Sequence, residues 1–275
     1  MILFPNAKIN LGLDIVSRRP DGYHELMTTM YPVPWCDILE IIPAQNGVTT
    51  LTTSGRPVAC PPEKNLVIKA YNAIAKEVDI PAVEIHLHKI IPDGAGLGGG
   101  SSDAAFTLKG LNEIFALGFD NGHLTEIAAS IGADCPFFIH NRAMLATGTG
   151  TTLSPIDLTL KGWKIVIVKP GISVPTAEAY SHVTPRVPDI DIVTTIQRPV
   201  NEWMQNLKND FEESIFPRHP HINEIKKTLI SLGAVYASMS GSGSAVYGLF
   251  RESDILADVF NDTFTGHDIF IGTLG

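Results

Sequence analysis

From Val83 to Ile90 apolar and polar residues alternate, with Val83, Ile85 and Leu87 on one side and Glu84, His86 and His88 on the other. A period of two predicts a half-buried strand. From Ala104 the period changes, and Ala104, Ala105, Leu108, Leu111, Ile114 and Phe115 recur at helical spacing. Between the two runs lies Pro92-Asp93-Gly94-Ala95-Gly96-Leu97-Gly98-Gly99-Gly100-Ser101-Ser102, with five glycines in seven residues. The unit reads strand, glycine loop, helix.

The same reading extends along the chain. Residues 6–16 alternate, with Ala7, Ile9, Leu11, Leu13 and Ile15 on one face and Lys8, Asn10, Gly12 and Asp14 on the other, which predicts a strand. Asp21-Gly22-Tyr23-His24 predicts a turn. Ile38–Ile42 and Val48–Thr52, separated by Gln45-Asn46-Gly47, predict a hairpin. Residues 55–64 form a proline-rich loop, and Asn65 caps a helix whose apolar positions are Leu66, Ile68, Ala70, Ala73 and Ile74. Asp120 signals the start of another helix, ending at Gly132, and Arg142 to Thr151 reads as a strand into a turn.

After Ser154-Pro155 the rhythm changes, and two domains are expected, residues 1–154 and 155–275. The second contains a buried strand at Trp163–Val168, a loop at Pro170–Thr176 and a helix from His221 to Leu232 stopped by Gly233. Strands at Val235–Met239 and Ala245–Phe250 flank Ser240-Gly241-Ser242-Gly243-Ser244, residues 252–262 are predicted helical, and Asp268–Ile271 is a last strand. The fold class expected is α+β.

Composition narrows the function classes. A hydrophobic content of 44% in 275 residues supports a true core. The net charge of −9 argues against a nucleic-acid coat but permits a small anion held by a few local cations. Cys36, Cys60 and Cys135 are odd in number and far apart, which fits a reducing cytoplasm better than a disulfide framework. No run reaches the roughly 18 apolar residues of a membrane span, and the first residues lack the basic start of a signal peptide.

The candidate chemistry centres on the glycine loop. Glycines let the chain turn tightly and expose N–H groups; the first helical turn adds donors without partners and the positive end of a dipole. Together they make an anion site suited to phosphate. Gly94, Gly96 and Gly99 fit a dinucleotide fingerprint, but the preceding strand alternates, where that fold needs a nearly continuous apolar one. A P-loop needs Lys before Ser or Thr, and here Gly100 precedes Ser101. Asp134, between a helix end and Pro136-Phe137-Phe138, reads as a cap, a turn acid or a functional carboxylate. His86 and His88 share a strand face, but Glu84 and Lys89 suggest that this face is solvated, and no metal site is expected.

Gly94 to Ala105 resembles the phosphate loop of the GHMP small-molecule kinases. Ser238-Met239-Ser240-Gly241-Ser242-Gly243-Ser244 resembles that family's third glycine motif. Pro5 to Leu13, followed by Arg19-Pro20-Asp21-Gly22-Tyr23-His24-Glu25-Leu26, resembles the N-terminus of the branch acting on a cytidine diphosphate-linked methylerythritol. The likeness runs from residue 5 to about residue 250. It implies an N-terminal mixed sheet with helices, a ferredoxin-like C-terminal domain, and ATP with Mg2+ as phosphoryl donor. It implies catalytic roles for Lys8 and Asp134. Asn65, Pro92 and Gly94 through Ser102 (Gly94, Ala95, Gly96, Leu97, Gly98, Gly99, Gly100, Ser101 and Ser102) would hold the nucleotide. Asn10, Tyr23, His24, Thr176, Tyr180 and Gly241 would hold the substrate, with Tyr23 and Tyr180 sandwiching the base and His24 bonding its polar edge. Tyr180 departs from the phenylalanine usual in that branch; it can still stack, but its hydroxyl needs a partner. The glycine turn at 241–243 would wall the site and brace the phosphate loop.

Overall fold

The computed structural model describes residues 1–58, 60–251 and 257–275. In chain order they form strands β1 (Ile2–Leu3), β2 (Asn6–Arg18), β3 (His24–Cys36), β4 (Ile38–Pro43) and β5 (Thr50–Gly55), helix α1 (Leu66–Glu77), strand β6 (Val83–Lys89), and helices α2 (Gly99–Ile114), α3 (Asn121–Ile131) and α4 (Cys135–His140). Strands β7 (Met144–Gly148), β8 (Thr152–Pro155) and β9 (Lys164–Lys169) follow, then helices α5 (Thr176–Ser181), α6 (Ile192–Ile196), α7 (Trp203–Asn206), α8 (Phe211–Ile215) and α9 (Pro220–Ser231). The chain ends with β10 (Tyr236–Met239), β11 (Val246–Phe250), α10 (Ala257–Thr263) and β12 (Asp268–Thr273). Of the stretch 252–262 predicted helical, residues 252–256 lie outside the described residues. Among the described residues no helix is long and apolar enough to cross a membrane.

The chain divides into two compact units. The first comprises Met1–Ala7, Trp35–Asp93 and Gly98–Arg142. Its sheet has the order β1-β4-β6-β5. β6 alternates as its sequence requires, with Val83, Ile85 and Leu87 inward. Helix α2 packs on α1, α4 and β4. Asn65 and Asp120 cap α1 and α3, accepting from Val67 N–H at 2.9 Å and His123 N–H at 2.8 Å. Each such cap supplies one of the donors at a helix start with a partner.

The expected hairpin of β4 and β5 does not form. β6 lies between them, antiparallel to β4 and parallel to β5. The reason is burial. The inward side chains of β6 are nearly fully enclosed, whereas β5 is threonine- and serine-rich and largely exposed. An apolar strand takes the centre of a sheet and a polar one its edge. Lys89 is a second correction. It shares the inward parity of Val83, Ile85 and Leu87 and is 4% exposed, not part of a solvated face.

The second unit comprises Lys8–Pro34, Gly94–Leu97 and Ala143–Gly275. One sheet has the order β2-β3-β7-β8 and the other β10-β11-β9-β12. In the latter every neighbouring pair is antiparallel. With β9 as its first strand the order is the ferredoxin-like one. Helix α9 packs on β10 and β11 through Ile222, Ile225 and Leu229. β3, which the turn at Asp21 introduces, has no clear alternation and is legible only once paired. β2 is buried on both faces from Asn6 to Ile15, so its polar residues must find partners inside the protein.

The edge of β2 is tied to the segment before α8. Leu13 N–H donates to Lys208 O and Asp210 N–H to Leu13 O, both at 2.8 Å. Between them Asn209, 2% exposed, donates from Nδ2 to Met239 O and Gly241 O, both at 2.8 Å. Its Oδ1 accepts from Phe211 N–H at 3.0 Å. Asn209→Ala leaves Gly241 O and Phe211 N–H without the partner described, at about 1–3 kcal/mol each when water cannot enter, while Met239 O keeps only Ser238 Oγ at 3.4 Å. The expected loss is about 3 kcal/mol in urea unfolding with an unchanged m-value; a loss below about 1 kcal/mol contradicts this role.

Candidate functional site

The second unit holds Lys8 and Asn10 on a buried strand. Lys8 is 3% exposed and Asn10 2%. The Lys8 ammonium donates to Asn10 Oδ1 at 2.6 Å, Asn10 Nδ2 donates to Thr28 Oγ1 at 3.1 Å, and Thr28 Oγ1 donates to Gly12 O at 2.5 Å. Tyr247 OH donates to Asn10 O at 2.8 Å, fixing the strand from the other side. A buried ammonium needs such acceptors. The chain orients Lys8 Nζ instead of leaving it on a mobile stem.

Residues 94–97 of the glycine loop belong to the same unit. Lys8 N–H donates to Leu97 O at 2.9 Å, Ser240 Oγ to Gly96 O at 2.9 Å and Ala245 N–H to Ala95 O at 3.2 Å. The Ser240–Ser244 turn thus holds this part of the loop. At Gly96, with φ +74°, a Cβ would lie 2.0 Å from Ser240 O. Only glycine allows the two backbones to approach this closely. A Cβ on Gly241, φ +54°, would lie 3.3 Å from Asn10 Oδ1.

An open cavity of about 840 Å3 in this unit is lined by Tyr23, His24, Thr176 and Tyr180 among others. The Asp21 turn presents the first two. Arg19 is held by Asp21 at 3.0 Å and Glu25 at 2.5 Å, and Tyr23 N–H donates to Asp21 Oδ1 at 3.1 Å. Tyr23 is 67% exposed. His24, not Tyr23, stacks on Tyr180, with centroids 5.0 Å apart and planes 22° from parallel. Tyr180 meets Phe211 edge-on at 4.8 Å. No third ring fits between His24 and Tyr180 at that spacing, while the face of Tyr23 is open. Burial, then the neighbouring Arg18 charge, holds the His24 imidazole below its usual pKa, so it is neutral at pH 7. Thr176 Oγ1 lies 3.3 Å from Ser242 Oγ.

The first unit holds the rest. Pro92 is buried, and Gly98 enters α2 in the left-handed region, φ 71°. The first backbone bond of α2 is from Ser102 N–H to Gly98 O at 2.9 Å. The N–H groups of Gly99, Gly100 and Ser101 precede it and have no acceptor within the helix. Ser102 Oγ is buried without a hydrogen-bond partner. Beside this turn Asn65, Leu66, Val58, Cys60 and Gly100 line a cavity of about 210 Å3. Asp134 precedes α4 at φ −87°, ψ −11°, half-buried, and its side chain makes no capping bond. A cap is one reading of this residue, and the side-chain capping bond that reading needs does not form.

Sequence reasoning missed the ion cluster beneath the glycine turn. Lys89 Nζ donates to Asp37 Oδ2 at 2.5 Å and Asp103 Oδ2 at 2.8 Å. Asp37 Oδ1 also accepts from Ile90 and Ile91 N–H at 2.6 and 2.8 Å. Asp103 Oδ1 is buried without a partner. Burial, only partly offset by Lys89 and reinforced by Asp37, raises Asp103 to about 8. Burial alone would lower Lys89, but the two carboxylates outweigh it and raise it. The available signal was the odd-numbered parity of Lys89 in β6. His86 Nε2 and His88 Nδ1 both engage Ser54 Oγ, at 2.8 and 2.9 Å.

Comparison with known proteins places these features in one context. The family profile "GHMP kinases N terminal domain" matches residues 65–142, and "GHMP kinases C terminal" matches residues 195–264. A protein of Parabacteroides distasonis named 4-diphosphocytidyl-2-C-methyl-D-erythritol kinase is 53% identical over 266 residues, 94% of this chain and 97% of its own length. One of Bacteroides thetaiotaomicron with the same name is 54% identical over 260 residues, 94% of this chain and 95% of its own. A crystal structure of a 4-(cytidine 5'-diphospho)-2C-methyl-D-erythritol kinase superposes with a TM-score of 0.85 at 33% identity, covering 100% of this chain and 99% of that one. The Methanococcus jannaschii mevalonate kinase, at 14% identity and a TM-score of 0.75, shares the fold, with 100% and 98% covered.

The Asp103 cluster carries a pH signature. Its pKa is raised in the folded state, so between about pH 4 and about pH 8 the folded chain holds a proton that the unfolded chain has released. The contribution of Asp103 is therefore fully present at low pH and declines as pH rises through that window. Asp103→Asn removes the decline. Urea unfolding from pH 5 to 8 should show the wild type losing up to ~1.4 kcal/mol per pH unit more than the variant. Parallel pH profiles contradict it.

Proposed function

The chain belongs to the GHMP kinase family, and from that premise we infer that it transfers the γ-phosphoryl group of ATP to the 2-hydroxyl of 4-diphosphocytidyl-2-C-methyl-D-erythritol, giving the 2-phosphate and ADP in the non-mevalonate route to isoprenoid precursors. The carrying observation is identity above 50% to curated enzymes of that name over 94% of the chain. The aromatic cavity bearing Tyr23, His24 and Tyr180 supports it, because a cytosine ring needs a face to stack on and a polar edge partner. Unpaired cysteines at 36, 60 and 135 support a cytoplasmic setting.

The residues present fit a nucleotide triphosphate with Mg2+. Ser102 Oγ is a buried hard oxygen lacking a partner, and the N–H groups opening α2 point from a glycine turn too small to block a phosphate. Mg2+, when bound, neutralises phosphate charge. Gly94, Ala95, Gly96, Leu97, Gly98, Gly99, Gly100 and Ser101 line the phosphate path, Pro92 stiffens its entry, and Asn65 borders the base pocket. Lys8 offers positive charge to the phosphoryl group in transfer. Asp134 orients the acceptor hydroxyl and accepts its proton. Asn10 and Gly241 border the acceptor, and Thr176, in the lining of the aromatic cavity, contacts it. His24, neutral, pairs with the base edge while Tyr23 stacks on its face; Tyr180 backs His24. The transition state of phosphoryl transfer is loose, so positioning and charge stabilisation dominate.

With radiolabelled ATP, the cytidyl acceptor should be phosphorylated, and homoserine, mevalonate and hexoses should not. Equal turnover of any of these sinks the substrate assignment. Asp134→Asn should lower kcat by about 100-fold or more while the ATP Kd stays within about twofold; equal losses in both contradict its role. Tyr23→Ala should raise KM for the cytidyl acceptor about tenfold, the worth of one stacked base, with the KM for ATP unchanged.

A further inference from the structure

Beyond Gly12, β2 carries Asp14, which the kinase reading leaves without a task. Asp14 is 8% exposed and its Oδ2 is buried without a partner. It lies at a cavity of about 360 Å3 walled by residues 186–190 and 205–210, all within the second unit. Two of the other charged groups there are engaged. Asp210 Oδ2 accepts from Ile15 N–H at 2.8 Å and its Oδ1 from Arg186 at 3.3 Å. Arg186 also donates to Glu213 at 2.7 Å. One carboxylate oxygen, itself shielded from solvent, therefore stays unmatched in a side chain that lines an accessible hollow.

The charge and shape of the hollow select its guest. Asp14, Asp189 and Asp210 line it against Arg186 and Lys208, with Asp191 also acting on Asp14. Burial first, then Asp210, pushes the Asp14 carboxyl up to about 7, a measure of how poorly its charge is compensated. That excludes an anion. Among the described residues no three metal-ligating side chains converge, which excludes a caged metal. One stretch of the mouth is apolar, beside the exposed Arg186, Asp189, Gln205 and Lys208. Val187 is 77% exposed and Ile190 39%, and Pro188 adjoins them. An acidic floor beside the apolar Val187–Ile190 stretch of the rim suits a cation with a hydrocarbon body.

We propose that this cavity binds a small organic cation, a primary ammonium on an apolar body, whose N–H donates to the Asp14 carboxylate while its body lies against Val187 and Ile190. A charge-assisted bond to an otherwise unmet carboxylate is the strong kind. The site is distinct from the one assigned to phosphoryl transfer and does not depend on that assignment.

The probe is 2-phenylethylammonium, titrated calorimetrically into the full chain at about pH 8.5, where the Asp14 carboxyl is ionised and the amine still charged. One-to-one saturable binding is expected, weaker by at least about tenfold in Asp14→Asn and by about threefold in Val187→Ser. The neutral isostere 2-phenylethanol should show no saturable binding. Val187 is exposed, so its variant folds whatever happens at Asp14. No saturable binding to the wild type, undiminished binding in either variant, or equal binding of the alcohol overturns the proposal.

Discussion

Burial of a lysine on a two-sided strand is the constraint on which the second unit is built. An ammonium 3% exposed is tolerated only with a fixed acceptor, and Asn10 supplies it at 2.6 Å. Asn10 is itself held by Thr28, and Thr28 by Gly12 O. The relay spans β2 and β3 and explains why a strand carrying Lys8 and Asn10 can be enclosed on both faces there. The same order turns a flexible cation into a positioned one, which phosphoryl transfer requires.

The glycines follow a related logic. Gly96 is not merely flexible. Its missing Cβ lets Ser240 O approach to a distance no side chain permits, and Ser240 Oγ returns a bond to Gly96 O. The loop is held by backbone contact, so its N–H groups can be preorganised for an anion instead of ordered on binding. In the first unit the Lys89 cluster does comparable work under α2. One ammonium joins the end of β6 to Asp37 and to Asp103 in the helix. Its excess carboxylate makes the arrangement sensitive to protons, a property of packing more than of any single residue.

Asp14 shows the opposite case. On the same strand as Lys8, it lacks the acceptor–donor match that Lys8 enjoys, and its environment adds negative charge instead of relieving it. One strand thus carries a satisfied buried cation and an unsatisfied buried carboxyl group. Burial does not distinguish them, but their hydrogen bonds do.

Periodicity, caps and glycine spacing are local, and they determined the local elements: β6, α1 with Asn65 as its cap, α3 with Asp120, α9, and the turn that opens α2. The glycine loop and the Asp21-Gly22-Tyr23-His24 turn were legible for the same reason, since their geometry follows from residue types a few positions apart. Only the tertiary structure decided the rest. Which strand separates β4 from β5 depends on comparing the buried area of segments thirty residues apart, and no window contains both. Lys89 turns inward because two carboxylates distant in sequence await it there, and His24 covers Tyr180 because a second-unit helix brings that ring to it. Local order follows from steric preferences within a turn or two of chain; sheet order, buried ion clusters and ring stacks follow from desolvation, which is settled only when remote segments exclude water together.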